Sequence, residues 1–223
     1  MVLSNTDIII SGWNGKMGQT LRRLAHLFFS GSLYDFKLLK GKTIETSVVW
    51  LDFSHASAFE TVINEVRQRQ CPLVMGTTGL SQNQMEQLKV LSTCVPVVYD
   101  TNFSVGIHIL RKLLRALPSI HGFDVTIFES HHASKKDCPS GTAKTLQQDI
   151  KKTCASDVAI PILSHRGGGI RGEHSVVLAG ENEVLTLKHS VLDRSVFAEG
   201  ALSAAVWSLK QSCGLFNMED VLL

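Results

Sequence analysis

The feature that most constrains the fold is a glycine-spaced turn set between an apolar run and an amphipathic stretch. Ile8-Ile9-Ile10 is short, continuous and β-branched, and Gly12-Trp13-Asn14-Gly15-Lys16-Met17-Gly18 follows directly. Beyond the turn, Met17, Leu21, Leu24, Ala25 and Phe28 fall on one face at helical spacing. A wholly apolar strand feeding an amphipathic helix opens a βαβ unit, whose strands are covered on both faces of a parallel sheet. The alternation recurs. Val48-Val49-Trp50-Leu51 reads as a strand, with Phe59, Val62, Ile63 and Val66 marking the helix after it. Leu73-Val74-Met75 stops at Gly76, Ser81 and Gln84 form a capping box for a helix carrying Met85, Leu88 and Leu91, and Val95 to Tyr99 closes the series. Phe36 to Leu39 reads as one further short strand inside a partly basic connection from Ser30 to Thr46.

After Asn102 the pattern changes. Val105, Ile109, Leu113 and Leu117 indicate a long helix, and Phe123 to Glu129 an alternating strand. Pro139-Ser140-Gly141-Thr142 opens a helix with Ala143, Leu146 and Ile150 inward. Strand-like segments follow near Ile160 to Leu163, His174 to Ala179 and Val184 to His189, the last two joined by a hairpin-like Gly180-Glu181-Asn182. Strands with few helices indicate an α+β second domain. The last helix, with Ala198, Leu202, Val206 and Leu209, packs most simply on the first domain.

Composition excludes several classes. At 223 residues, 44% hydrophobic and 19% charged, the chain has the balance of a globular protein and not of an extended disordered one. A net charge of +2 gives no general attraction to nucleic acid or an anionic membrane. No apolar run approaches bilayer length, and the first residues lack the pattern of a signal peptide. Cys71, Cys94, Cys138, Cys154 and Cys213 are scattered, with no disulfide framework or CxxC metal site visible. A soluble, cytoplasmic protein with neither a membrane nor a nucleic-acid partner is expected.

Three loops fall at strand C-termini, where ligands of an open α/β sheet bind. The first is Gly12 to Gly18: its glycines permit a tight turn and the following helix offers free N–H groups to a pyrophosphate, although a purely structural turn has the same form. Gly76-Thr77-Thr78-Gly79 and Asp100-Thr101-Asn102-Phe103-Ser104 are the others. Each alone is ordinary turn chemistry; together they indicate a dinucleotide crevice. The densest polar cluster runs from Glu129 to Ala143, where His131, His132 and Lys135 precede a helix whose start holds Ser140, Gly141 and Thr142. Cations beside a helix N-terminus suit a small acidic substrate. A metal is the rival reading of the paired histidines, but no i, i+4 ligand spacing supports it, so no metal is expected. The loop from His165 to His174 contains Arg166, which serves either an anion or solvation of the loop. Arg194 and Phe197 stand at the return into the first domain, where a hinge residue meets a bound cofactor.

The cluster Glu129, His131, His132, Lys135, Asp137, Pro139, Ser140, Gly141, Thr142 and Ala143 resembles the dihydrodipicolinate reductase family of bacterial lysine biosynthesis, also called 4-hydroxy-tetrahydrodipicolinate reductase. The resemblance extends to Gly12 to Gly18, Asp52-Phe53-Ser54, Gly76 to Gly79, Asn102 to Gly106, Arg166-Gly167-Gly168, Gly172-Glu173-His174, Arg194 to Ala201 and Gly214-Leu215-Phe216. It implies a Rossmann-like nucleotide domain (residues 1–103 and 198–223) and an inserted α+β domain (104–197) that binds substrate and assembles a homotetramer through its sheet. It implies NAD(P)H-dependent reduction of a cyclic dicarboxylate in lysine and diaminopimelate biosynthesis. By similarity His131 is the acid/base, Lys135 the proton donor and His132 a carboxylate contact, with Ser140, Gly141 and Thr142 at the carboxylate-holding helix start. Gly12, Trp13, Asn14, Gly15, Lys16, Met17, Gly76, Thr77, Thr78, Asp100, Thr101, Asn102, Phe103 and Arg194 line the cofactor. The chain departs from the family by being shorter between Phe28 and Val48 and around Thr153 to Pro161. No acidic ribose-reading residue stands out in the first of these stretches, which carries Lys37, Lys40 and Lys42 instead. Those lysines lean the expectation toward NADPH being used at least as well as NADH.

Overall fold

The computed structural model describes residues 6–39, 47–119, 121–154 and 159–222. The elements run β1 (Thr6–Ser11), α1 (Lys16–Leu24), β2 (Leu33–Asp35), β3 (Ser47–Asp52), α2 (Phe59–Arg69), β4 (Leu73–Met75), α3 (Gln82–Ser92) and β5 (Pro96–Tyr99). They continue with α4 (Val105–Ala116), β6 (Asp124–His131), α5 (Gly141–Lys151), β7 (Ile162–Arg166), β8 (Glu173–Ala179) and β9 (Val184–Ser190). Last come α6 (Ser195–Ser208), β10 (Gly214–Phe216) and α7 (Met218–Val221). The chain divides into two compact units, one of Met1–Val105 with Ser195–Leu223 and one of Gly106–Arg194.

The first unit is a parallel sheet in the order β10-β5-β4-β3-β1-β2. Its central strands carry continuous apolar runs because both faces are covered. Ile8, Ile10, Val49 and Leu51 enter one core with Leu21 of α1 and Ala201 and Leu202 of α6. Ile9, Trp50 and Leu73 enter the other with Val62 and Ile63 of α2 and Leu88 of α3. From β1 the chain passes to β2 on one side and then to β3 on the other, so the topological switch lies between β1 and β3.

Two local expectations are corrected, and one strand is new. The second strand is Leu33–Asp35, while Phe36–Leu38 forms a 3-10 turn. Asp35 terminates the strand by accepting the Lys37 amide at 3.1 Å, and Phe36 turns inward onto Trp50, with ring centroids 5.1 Å apart. The inward stripe of α4 is Ile107, Leu110 and Leu114, leaving Ile109 52% and Leu113 49% exposed. Both stripes have helical spacing; the sheet beneath selects the one containing Leu110 and Leu114. The short edge strand β10, paired parallel to β5, has too few residues to register as a period.

The second unit is a four-stranded sheet in the order β7-β6-β8-β9, with β6 parallel to β7 and antiparallel to β8. Helices α4 and α5 cover one face, where Ile107, Leu110, Leu114, Leu146 and Ile150 meet Val125, Ile127, Val176 and Leu178. Asp149 of α5 is buried and joined to Arg111 of α4 at 2.6 Å. On the outward face the paired Phe128 and Leu163 are 44% and 52% exposed within the chain. Among the described residues no helix is long and apolar enough to cross a membrane.

Candidate active site

Because the first sheet is parallel, the loops after β1, β3, β4 and β5 emerge at one edge. Gly12 takes φ +84°, and its carbonyl accepts the Gly15 amide at 2.9 Å, which folds the turn back on itself. Gly15 caps α1 with an extended backbone and no side-chain bond, and no acidic side chain stands in the helix's first turn. These are the conditions for an anion site. The loops converge around Phe53: a Cβ on Gly12 would lie 2.3 Å from the Phe53 carbonyl oxygen, and one on Gly76 would lie 2.1 Å from the Phe53 ring. That ring meets Phe103 edge-on at 5.2 Å.

Beneath the loops, the buried Asp52 carboxylate accepts the hydroxyls of Ser54 and Thr77, each at 2.6 Å. Burial pushes the Asp52 carboxyl up, against the lowering effect of those hydroxyls. The Thr77 hydroxyl is thereby committed inward. Thr78 and Thr101 are exposed. Asp100 is a staple: its carboxylate accepts the amides of Asn102 and Met218 at 3.1 and 3.2 Å. Asn102 in turn accepts the Ser104 amide at 2.9 Å. Trp13 is half-buried under the Arg22 guanidinium, Asn14 and Lys16 are exposed, and Met17 packs on the core. The free helix start, the side-chain-free approaches at Gly12 and Gly76 and the switch-point position fit a dinucleotide pyrophosphate.

One expectation about this edge changes. An acidic residue does stand at the end of the second strand: Asp35, paired in register with Ile10. The sequence pattern puts the strand at Phe36 to Leu39, three residues beyond its actual start, and so passes over Asp35. Lys37 is exposed in the turn that Asp35 caps, whereas Lys40 and Lys42 lie outside the described residues.

In the second unit, the alternation of β6 sends Val125, Ile127, Glu129 and His131 to the helix-covered face. The first two complete the core, and the last two form a buried polar cluster above it. His131 Nδ1 is hydrogen-bonded to Glu129 Oε2. The other Glu129 oxygen accepts Arg166 Nη2 at 2.7 Å and the Ser140 amide at 3.3 Å. Arg166 also donates to the carbonyls of Asp137 and His165 at 2.7 and 2.8 Å, and the anion it faces within the chain is the Glu129 carboxylate. His174 of β8 lies edge-on to His131 at 5.1 Å, with Nε2 3.2 Å from Ser140 Oγ. Ser140 is the N-cap of α5, its Oγ accepting the Ala143 amide at 3.2 Å.

The remaining residues selected from the sequence lie in the loop after β6, in the first turn of α5 and at the end of the unit. Lys135 Nζ is 2.8 Å from Asp137, and half-buried His132 bonds Ser134 through Nδ1 at 2.8 Å. Gly141 and Thr142 form the first turn of α5; a Cβ on Gly141 would meet nothing within 4 Å, so the helix start is open there. Arg194 is the last residue of the second unit.

The electrostatics separate the groups. Burial raises the Glu129 carboxyl, but the hydrogen bonds with Arg166 and His131 outweigh it and hold the group at about 2. Burial lowers His131, opposed by Glu129 and assisted by the Lys135 and Arg166 charges. His174 is driven down to about 4, chiefly by burial and then by His131. Lys135 lowers Asp137 by donating a hydrogen bond to its carboxylate. Glu129, His131 and His174 bring donor atoms within 4.8 Å of one another. The Arg166 guanidinium already occupies that carboxylate, which suits a proton-handling cluster and disfavours a dication. The sequence pattern offers Arg166 only as an anion contact or a loop-solvating residue and gives no role to Glu129 or His174. The legible signal was Glu129, two residues before His131 on the same strand face.

Comparison with known proteins decides the family. The family model for the N-terminus of dihydrodipicolinate reductase matches residues 36–103, and that for its C-terminus matches residues 106–222. The chain belongs to the dihydrodipicolinate reductase family. Relatives in this family include the 4-hydroxy-tetrahydrodipicolinate reductase of Bdellovibrio bacteriovorus, 38% identical over 99% of this chain and 97% of its own. That of Caldanaerobacter subterraneus is 36% identical over 96% and 97%. The dipicolinate-bound dihydrodipicolinate reductase of a Paenisporosarcina species shares the fold with a TM-score of 0.76, at 22% identity over 99% of this chain and 100% of that one. Membership of the dihydrodipicolinate reductase family makes the chain an oxidoreductase with a Rossmann-like domain and a nicotinamide nucleotide cofactor.

Proposed function

We propose that the chain reduces 4-hydroxy-tetrahydrodipicolinate to tetrahydrodipicolinate with loss of water, the first unit holding the dinucleotide and the second the substrate. The observation that carries this is the hydrogen-bonded link from His131 through Glu129 to Ser140, the cap of the open start of α5. Relatives named for this reaction and a dipicolinate-bound family structure support a small cyclic dicarboxylate. When bound at the first unit's loop edge, a reduced nicotinamide dinucleotide supplies a hydride.

The chain's own groups supply the rest. The amides of Gly141 and Thr142, with the Ser140 cap behind them, receive a carboxylate at the helix start. Lys135 and His132 contribute positive or donor character beside it. Loss of water needs a base at the carbon that yields a proton and an acid at the departing hydroxyl. His131, kept neutral by burial, is suited to the first role and Lys135 to the second. The proton held on His131 is then available to the reduced product.

For the cofactor, Asp35 at the end of β2 supports acceptance of ribose hydroxyls and so favours NADH, while Lys37 beside it keeps NADPH usable. For assembly, the exposed Phe128 and Leu163 face of the second sheet supports pairing between copies toward a homotetramer. The family's biosynthetic role supports a cytoplasmic setting.

A coupled assay with the preceding synthase tests the reaction. Substrate-dependent oxidation of NADH or NADPH is expected; folded protein that gives none would overturn the proposal. Light scattering on the native chain reads the assembly, and a monomer would remove the tetramer from it.

A further inference from the structure

We propose that Glu129 is a positioning residue which holds His131 as the tautomer protonated on Nδ1, leaving the Nε2 lone pair for the reaction, with Arg166 fixing Glu129 in turn. The inference rests on the reading of His131 as the acid/base. Its physical basis is the order of contacts. Nδ1 of His131 meets one oxygen of Glu129, and a carboxylate held ionised accepts only, so Nδ1 must carry the proton. The second oxygen is taken by Arg166 Nη2 at 2.7 Å and the Ser140 amide at 3.3 Å, so the carboxylate cannot rotate away. Arg166 is itself tied to the Asp137 carbonyl at 2.7 Å, which joins the clamp to the loop bearing Lys135.

Space in front of Nε2 is kept by a glycine. A Cβ on Gly172 would stand 3.3 Å from His131 Nε2, and Gly172 takes φ +150°. A side chain there would crowd the nitrogen assigned to the reaction. The charged and titratable groups facing His131 come from every neighbouring element: Glu129 on β6, Arg166 on β7, His174 on β8 with His189 behind it on β9, and Lys135 in the loop. Of these only Glu129 favours a positive imidazole; Arg166, Lys135 and a charged His174 oppose it. Removing the carboxylate and removing the guanidinium must therefore move His131 in opposite directions.

The test is nitrogen-15 NMR of the histidine rings in the ligand-free chain, with His131 assigned by loss of its signals in His131→Gln. In the native chain above pH 7 the neutral ring is expected with its proton on Nδ1. Glu129→Gln should lower the His131 titration midpoint, and Arg166→Met should raise it. In steady-state assays Glu129→Gln should lower kcat by about tenfold or more with little change in the substrate KM, since a misoriented base loses transition-state stabilisation and not binding. A proton on Nε2 in the native chain would overturn the proposal without recourse to any variant. So would a Glu129→Gln chain of native circular dichroism whose His131 tautomer and midpoint are unchanged. The NMR arm needs no turnover, so failure of the synthase-coupled assay with the expected tautomer would count against the reaction and leave the Glu129–His131 relation standing.

Discussion

A Cβ on Gly18 would stand 2.3 Å from the carbonyl oxygen of Gly12, so the first turn of α1 is seated directly against the loop that precedes it. The close approach aims the helix start at the sheet edge. Gly18→Ala cannot be absorbed by a flexible side chain, because the obstructing atoms are backbone. It is expected to destabilise the chain by about 1–3 kcal/mol and to weaken dinucleotide binding. Thermal unfolding and fluorescence titration with NADH read the two effects; native values for both would mean that the turn has room that its geometry denies.

Much of this edge was legible in the sequence because strands buried on both faces appear as solid apolar runs. Ile8 to Ile10 and Val48 to Leu51 needed no partner to be recognised. The inserted unit is nearly as legible, since the buried Val125 and Ile127 alternate with less buried positions. What stayed hidden depends on pairing between distant segments. Glu129 and Arg166 are 37 residues apart and meet only through the β6–β7 register, which sets His131 beside Arg166. The stripe of α4 is not legible because its two candidate faces differ only in what lies beneath. Asp35 was missed because one side-chain cap ends β2 before Phe36, and apolar residues after a cap look like a strand.

Lys135 and Asp137, paired at 2.8 Å, hold an ammonium group near the start of α5. Lys135→Ala removes both the proposed acid and a counter-charge to the dicarboxylate. Turnover is expected to fall by roughly two orders of magnitude or more, while NADH affinity survives because the glycine turn belongs to the other unit. Parallel loss of both in binding and kinetic assays would show that Lys135 serves the cofactor.

The Asp149–Arg111 contact joins the two helices that cover the second sheet. Asp149 is 2% exposed, so Asp149→Ala leaves Arg111 without its carboxylate at a largely dry surface. A loss of about 2–3 kcal/mol is expected, with a fall in Tm of roughly 5–10 °C. Asp149→Asn keeps the shape and part of the hydrogen bonding and should lose less. Calorimetry on the two variants checks the order, and equal losses would assign the effect to charge alone.

Asp35 gives the cofactor reading its measurable form. An ionised carboxylate at the end of β2 accepts ribose hydroxyls and repels a 2′-phosphate. Asp35→Ala should therefore lower kcat/KM for NADH and raise it for NADPH, moving their ratio by about tenfold or more. Lys37 is exposed, so the NADPH contribution it makes should fade as salt rises. A ratio unchanged by the substitution, measured at low and moderate salt, would remove Asp35 from ribose recognition.

Stability against acid should fall in two stages, and the first belongs to histidine. His174 has its folded-state value driven from the ordinary 6.5 down to about 4, so the fold favours the neutral ring. Between those values the unfolded chain binds the proton and the native chain resists it, and stability rises with pH across that window. The contribution is complete above about pH 6.5 and is lost as pH falls toward 4, about 3 kcal/mol over the interval. His131 and His189 are also lowered by burial and act in the same sense, whereas Asp52, pushed up by burial, acts in the opposite one. Glu129, held at about 2, keeps its stabilising charge until far lower pH: its contribution is present above about 4.5 and disappears as pH falls through 2. Urea unfolding at a series of pH values should thus show a slope between pH 6.5 and 4 that is reduced in His174→Gln. That variant retains a polar group opposite Ser140 but cannot take up the proton. If it left the slope in this window unchanged, the loss would have to come from the other lowered histidines, and His174 would be no part of the acid response.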